Sequence, residues 1–205
     1  MEKIGGLSTR QISNLPERDW QVFYGRNKDL IWKRDNFDFT QRIRMLEDIR
    51  EVIDSGFNAF FANGILLGAH RDNDFIAWDD DIDFDVLSQD FYKDCKRVKE
   101  KFIQMGYIVY LNTEPGKAKL NIYMGLEKVS FDVLFPLDEE YYFRNNWKWP
   151  RRLYNDEHTI TFKGMSFKCT APVEDYLIHV YGKDWQTPKN YKNKVMTLGS
   201  EIFIR

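Results

Sequence analysis

From residue 38 onward the chain switches between two hydrophobic periods, and each switch marks an element. Ile43, Leu46, Ile49 and Ile53 fall at spacings of three and four. That predicts a helix capped by Asp38 or Thr40, running to about Ser55 and ended by Gly56. Phe57 to Ala62 is a short apolar run expected as a strand, and Asn63-Gly64 breaks it before a short helix over Ile65 to Ala69. From Asp81 to Val86 the period drops to two, acid then apolar. In a strand this puts Asp81, Asp83 and Asp85 on one face and Ile82, Phe84 and Val86 in a core. Ser88 opens a helix through Met105, ended by Gly106, with Phe91, Cys95, Val98 and Phe102 on one face. Strands are expected over Tyr107 to Leu111, Leu120 to Met124 and Val129 to Phe135, with a turn at Asn112 to Gly116 and a hairpin joining the last two. A second hairpin is expected from Thr159 to Cys169 around Lys163-Gly164. A last helix spans Ala171 to Gly182, with Pro172 in its first turn. Residues 1 to 37, with Trp20, Phe23, Tyr24 and Trp32, read as an irregular arm or short helices clamped by aromatics.

Composition narrows the class. At 205 residues, 43% hydrophobic and 16% aromatic, the chain suits one folded domain, with a motif-bearing core over about 38–188. A net charge of −2 argues against a nucleic-acid backbone as the main partner. Cys95 and Cys169 form no paired motif and fit a reducing compartment as packing residues. No run approaches the roughly 20 apolar residues of a membrane span, and no apolar leader opens the sequence. A soluble, cytoplasmic protein is expected, acting on an acceptor that can lie at a membrane.

The candidate chemistry sits in the acid run. Carboxylates this dense repel one another and lose solvation on packing, so a chain that holds them together does so around a cation, and hard cations such as Mg²⁺ prefer oxygen ligands. Asp132 stands alone in an otherwise apolar strand, where a carboxylate is costly unless paired or metal-bound, and is nominated as the third acid. The short helix after Gly64 would point its amides and positive dipole end at a phosphate, or else be a turn that merely needs glycine. Arg71 suits phosphate and equally a structural ion pair with Asp72 or Asp74. His70 reads as a hydrogen-bonded surface residue, and Lys117 and Lys119 as solvated strand-end lysines, with reach to a phosphate from the hairpin as their alternative. The aromatics and arginines from Trp147 to Arg152 are suited to stacking a base or sugar, or to rim packing, and with the N-terminal arm would set donor specificity.

Three separated segments resemble the LicD family of transferases, which includes fukutin and the fukutin-related protein. The first is Gly64 through Arg71 followed by Ile76-Ala77-Trp78-Asp79-Asp80-Asp81-Ile82-Asp83. The others are Asp132-Val133-Leu134-Phe135-Pro136-Leu137-Asp138, and Pro172 through Trp185 with Tyr176-Leu177 and Tyr181-Gly182. Asn63, where many members have a small residue, and Ala77, in place of the usual proline, depart from the pattern without removing a carboxylate.

The resemblance implies an α+β, nucleotidyltransferase-like fold: a small mixed β-sheet flanked by helices. It implies metal-dependent transfer of a phospho-substituent, such as phosphocholine or a polyol phosphate (ribitol or glycerol phosphate), from a CDP-linked donor to a glycan or lipid-linked glycan hydroxyl, releasing CMP. Asp81, Asp83 and Asp132 would be the catalytic acids and the ligands of Mg²⁺ or Mn²⁺. Asn63, Gly64, Leu67, Gly68, Arg71 and Asp79 would form the substrate-binding set, with Asp79 as an auxiliary ligand. Asp80 and Asp85 are expected to face solvent or serve structure, unless Asp85 extends the metal face. The alternatives are a nucleotidyltransferase that places NMP on a protein or small acceptor, a calcium-binding module without catalysis, and a member that binds nucleotide without turnover.

Overall fold

The computed structural model describes residues 3–8, 11–12, 14–32, 37–156 and 158–188. Their main body is a nine-stranded mixed sheet. Its strands are β3 (Phe60–Phe61), β4 (Ile82–Leu87), β5 (Ile108–Asn112), β6 (Lys119–Met124), β7 (Glu127–Pro136), β8 (Tyr141–Arg144), β9 (Trp147–Pro150), β10 (His158–Phe162) and β11 (Met165–Cys169). The order across the sheet is β10-β11-β3-β4-β7-β6-β5, and β8 and β9 extend from the far end of β7. The β4·β7 and β11·β3 pairs are parallel and the others antiparallel, so the expected mixed sheet is present.

Register explains why two faces of one sheet differ so sharply. Phe84 pairs with Phe131 and Phe131 with Leu120, while Ile82 pairs with Val129 and Val129 with Ile122. All of these are fully buried. Against that apolar face pack α2 (Phe39–Asp54), through Met45, Leu46, Ile49 and Val52, and α4 (Ser88–Gln104), through Phe91, Cys95, Val98 and Phe102. One residue out of phase, Asp83 pairs with Ser130 and Ser130 with Asn121, while Asp85 pairs with Asp132 and Asp132 with Lys119. Neighbouring residues in register share a face, so the period-two pattern of β4 and β7 assembles a polar surface across three strands.

The helix boundaries follow local chemistry. Asp38 caps α2 by accepting a hydrogen bond from the Gln41 amide, and Gly56 follows its end at φ +101°. α3 spans Asn63–Arg71, four residues longer than the expected Ile65 to Ala69. β3 shrinks to two residues of the expected six, because Phe57 and Ala59 are buried in the core without pairing as strand. α5 (Val173–Tyr181) begins after Pro172 and ends before Gly182.

The N-terminal residues are more ordered than an irregular arm. β1 (Lys3–Ile4) and β2 (Leu7–Ser8) pair, and α1 (Glu17–Trp32) is a 16-residue helix. Trp20 stacks on Tyr24 and lies 4.5 Å from the Tyr123 ring, and its indole N–H donates to the Gly125 carbonyl. With Ile12, Phe23 and Leu126 they form a second small core over the β6–β7 hairpin. The clamping role expected of Trp32 falls on a side chain outside those described. No helix among the described residues is long and apolar enough to cross a membrane.

Candidate active site

The polar face of the sheet meets the start of α3. Asn63, its first residue, holds φ +47°, a left-handed conformation that asparagine tolerates better than most residues. Its amide N–H donates to the Tyr176 hydroxyl at 3.1 Å and its side-chain N–H to Asp83 Oδ2 at 3.1 Å. Gly64 follows, and a Cβ there would lie 2.0 Å from Asp79 Oδ2. The space beside this glycine is therefore filled by a carboxylate of the chain itself, at the positive end of a helix.

Asp79, Asp80 and Asp81 gather in the turn before β4, with one carboxylate oxygen of each within 4.8 Å of those of the other two. Asp80, expected to face solvent or serve structure, is half-buried and belongs to the cluster. Burial, then the Asp81 carboxylate, pushes Asp79 up to about 8 against the pull of Arg42. Asp83 is held well above the usual carboxylate range by burial, then by the charges of Asp81, Asp132 and Asp79. Carboxylates in this position favour protonation until a cation arrives, and an all-oxygen donor set fits a hard divalent ion.

Two basic residues outside the expected site hold this cluster in place. Lys128 Nζ lies 2.6 Å from Asp81 Oδ2, which the Ser130 hydroxyl also approaches at 3.3 Å. Burial alone would lower the Lys128 ammonium, but Asp81 outweighs it and raises the value. Arg42, inside α2, pairs with Glu127 at 2.6 Å and donates to the Asp79 carbonyl at 3.0 Å. Arg42 stands three, four and seven residues before Met45, Leu46 and Ile49, so helical spacing puts it on the buried face, but the sequence carries no signal of the partner that meets it there.

Asp85 has a different fate. It is fully buried, ion-paired to Arg144, and accepts from the Tyr154 hydroxyl at 2.7 Å and the Tyr176 hydroxyl at 3.3 Å. It is a structural anchor and does not face solvent. Its charge is spent on fixing Arg144, whose guanidinium also reaches Asp132 Oδ2 at 3.5 Å and lies over the Trp149 ring. Trp149 itself is buried and stacked on Tyr176, so the packing reading of that aromatic segment holds for it.

The structure places Asp83 and Asp132 on one face of adjacent strands, with Asp81 in the turn before β4 and Asn63 beside Asp83, but the acids that gather closely are Asp79, Asp80 and Asp81, while Asp132 faces Arg144. It separates the rest of the expected substrate set. Leu67 is in the core, and Gly68 is covered by the Asp74 carbonyl, which a Cβ would approach to 2.4 Å. Arg71 lies eight residues beyond Asn63, roughly 12 Å along the helix. Its guanidinium makes two hydrogen bonds to Asp72, at 2.9 and 2.6 Å. The expected convergence of Arg71 and the Gly64 amides on one phosphate is therefore absent, and the ion-pair alternative is realised. His70 bonds Glu174 at 3.1 Å, as a hydrogen-bonded surface residue does.

Comparison with known proteins adds a family. The model described as "LicD/FKTN/FKRP, nucleotidyltransferase domain" matches residues 56–171, just over half the chain. No curated protein matches. Among solved structures, one of ANT(2")-Ia in complex with adenylyl-2"-tobramycin aligns with 14% identity and a TM-score of 0.47, over 64% of this chain and 70% of that one. A STING-associated CdnE c-di-GMP synthase from Capnocytophaga granulosa aligns with 12% identity and a TM-score of 0.34, over 87% of this chain and 64% of its own.

Proposed function

The chain belongs to the LicD/FKTN/FKRP nucleotidyltransferase-domain family, and from that premise we propose that it transfers a phospho-substituent from a CDP-linked donor to a hydroxyl of a glycan acceptor. Family membership makes it a transferase of the phosphotransferase and nucleotidyltransferase type. The observation that carries the finer reading is the register of β4 and β7: Asp83 and Asp132 stand on adjacent parallel strands, on one face, next to the Asp79 to Asp81 cluster. An acid just before β4, a second on it and a third on the neighbouring strand suit a reaction in which charge builds on a leaving phosphate while a hydroxyl attacks.

Asp81 and Asp83, with Asp79 as an auxiliary ligand, would hold Mg²⁺ or Mn²⁺. When bound, the ion supplies positive charge against the donor diphosphate. Lys128 fixes the Asp81 carboxylate, and the Asn63 side-chain amide fixes one oxygen of Asp83. Asp132 orients the acceptor hydroxyl, whose oxygen bonds to phosphorus as the bond from that phosphorus to the bridging oxygen breaks. CMP leaves with the electron pair, and the hydroxyl proton passes to Asp132 or to water.

The test is thermal stability of the purified protein with CMP, CDP-choline, CDP-ribitol, CDP-glycerol, AMP, GMP and UMP, each with and without Mn²⁺. A ligand at about 100 times its dissociation constant adds roughly 2.7 kcal/mol. Metal-dependent stabilisation by cytidine nucleotides alone is expected, and the best conjugate identifies the transferred group. Stabilisation by purine nucleotides instead shifts the assignment to NMP transfer. Asp83→Asn keeps the side-chain shape beside Asn63 and should abolish turnover; an active, folded variant would remove Asp83 from the mechanism.

A further inference from the structure

On the far side of Asp132 from the acid cluster, the polar face continues into a cleft of about 290 Å³ that shares Asp132 with the candidate active site and none of Asp79, Asp80, Asp81 or Asp83. Its other walls come from the outer strands and two turns. Lys119 stands directly opposite Asp132 in the β6·β7 register, and Tyr110 lies on β5, one strand further out. Arg144 and Asn145, at the β8–β9 turn, close the opposite side.

The charges in this cleft are not equivalent. Arg144 is committed to Asp85 beneath it and to Asp132 beside it. Lys117 turns outward to Glu114 at 2.9 Å. Lys119 makes no ion pair among the described residues, and its ammonium lies 5.7 Å from the centre of the Tyr110 ring. Tyr110 is 48% exposed, so the ring that the Lys119 ammonium overlies stands half open at the rim of a polar cleft. A half-exposed aromatic ring beside a cation with no carboxylate partner among the described residues suits a sugar ring packed on the tyrosine with an acidic substituent against the lysine.

We propose that this cleft is the acceptor site and that it takes an anionic sugar or polyol, its hydroxyl delivered to Asp132 and its negative charge read by Lys119. The inference rests on the transfer reaction proposed above, in which Asp132 is the acid nearest the acceptor. It adds that the acceptor is charged and that Lys119 determines specificity.

Glucose, glucose 6-phosphate and glucuronate present one ring shape with no charge, a phosphate and a carboxylate. Their binding by calorimetry to wild type, Lys119→Gln, Lys119→Arg and Tyr110→Ala, with melting temperatures as a folding control, tests the assignment. Wild type should bind one of the two anionic sugars about tenfold or more tighter than glucose, and which one it prefers tells phosphate from carboxylate. Lys119→Gln should lose that preference, Lys119→Arg should keep it, and Tyr110→Ala should weaken charged and neutral sugars alike. Equal binding of all three sugars to wild type, or a preference that survives Lys119→Gln, overturns the assignment. Stabilisation by cytidine nucleotides and Mn²⁺ reports on the other lobe. Its presence alongside equal sugar binding rejects the anionic acceptor and leaves the transfer reaction standing. Its absence alongside an anion preference rejects the transfer reaction, and with it the acceptor role.

Discussion

Gly64 and Gly68 lie one helical turn apart in α3, yet a methyl group added at each should have opposite consequences. At Gly64 the new Cβ would meet Asp79 Oδ2 at 2.0 Å and Cγ at 2.6 Å. That obstacle is the end of a side chain, which can rotate away. Alanine is also the better helix residue by roughly 0.5–1 kcal/mol, and expelling a buried carboxylate relieves its desolvation. Gly64→Ala should therefore melt within about 3 °C of wild type without metal, at roughly 2–4 °C per kcal/mol for a chain of this size. With Asp79 displaced, metal affinity should fall about 10- to 100-fold, the usual loss when a supporting group of a metal site is removed. Against a stabilisation of roughly 2.7 kcal/mol at 100 times the dissociation constant, that loss leaves about 1.4 to about 0.4 kcal/mol, so about half or more of the Mn²⁺-induced shift disappears. At Gly68 the new Cβ would meet the backbone oxygen of Asp74 at 2.4 Å, and backbone has nowhere to turn. Overpacking of this kind costs about 1–3 kcal/mol, or roughly 2–12 °C, and should leave the Mn²⁺ increment in place. Melting curves in EDTA and in Mn²⁺ separate the two. A Gly64→Ala variant that keeps the full Mn²⁺ shift would refute the view that this glycine exists to admit Asp79.

Other expectations rest on separate parts of the structure. Because folding raises Asp79 from its ordinary 3.8 to about 8, with Asp80 and Asp83 raised too, the folded metal-free protein binds more protons than the unfolded chain across that window. Its melting temperature in EDTA should fall as pH rises from about 5 towards about 8. Mn²⁺ affinity should climb over the same range, because ligation needs the ionised carboxylates; a metal-free melting temperature that rises with pH would contradict the assignment. Arg42→Met strands Glu127 in a buried site and should cost about 3–5 kcal/mol, whereas Arg42→Met with Glu127→Leu should recover most of it by chemical denaturation. Trp20→Ala removes the anchor of α1 and should cost about 3–5 kcal/mol at the second core. Hydrogen exchange should then speed up in α1 and leave α2 and β4 protected; uniform acceleration would mean that the arm is integral to the main core.

The elements legible in the sequence are those whose cause is local. Spacings of three and four put α2 and α4 on the sheet, and Asp38 caps where a capping residue is expected. The alternation in β4 and β7 specifies the polar face, and Asp132 stands out because apolar residues flank it on both sides. What the sequence conceals depends on distant partners. Arg42 shares the spacing of Met45, Leu46 and Ile49, but its partner Glu127, which meets it in the core, is 85 residues away and leaves no local trace. Leu67, Gly68 and Arg71 lie within the family's signature, but the first two serve helix packing, and the third is drawn to Asp72 at the wrong end of the helix.

Asp83 and Asp85 make the same point within one strand. They lie two residues apart on one face, so periodicity treats them as equals. Arg144, Tyr154 and Tyr176, 59, 69 and 91 residues further on, surround Asp85 with a cation and two hydroxyls and satisfy its charge inside the protein. Asp83 receives one amide from Asn63, and the charges that act on it most strongly are those of Asp81, Asp132 and Asp79. A carboxylate compensated by its own chain has little left to offer an external ion. One ringed by other carboxylates gains most from binding a cation, since a single ion relieves the repulsion of the whole group. The difference between the two aspartates is thus set by what the β8–β9 hairpin, the turn that follows it and α5 bring over the sheet, and Asp83 is the acid they leave uncompensated, which is why the proposed chemistry falls on it.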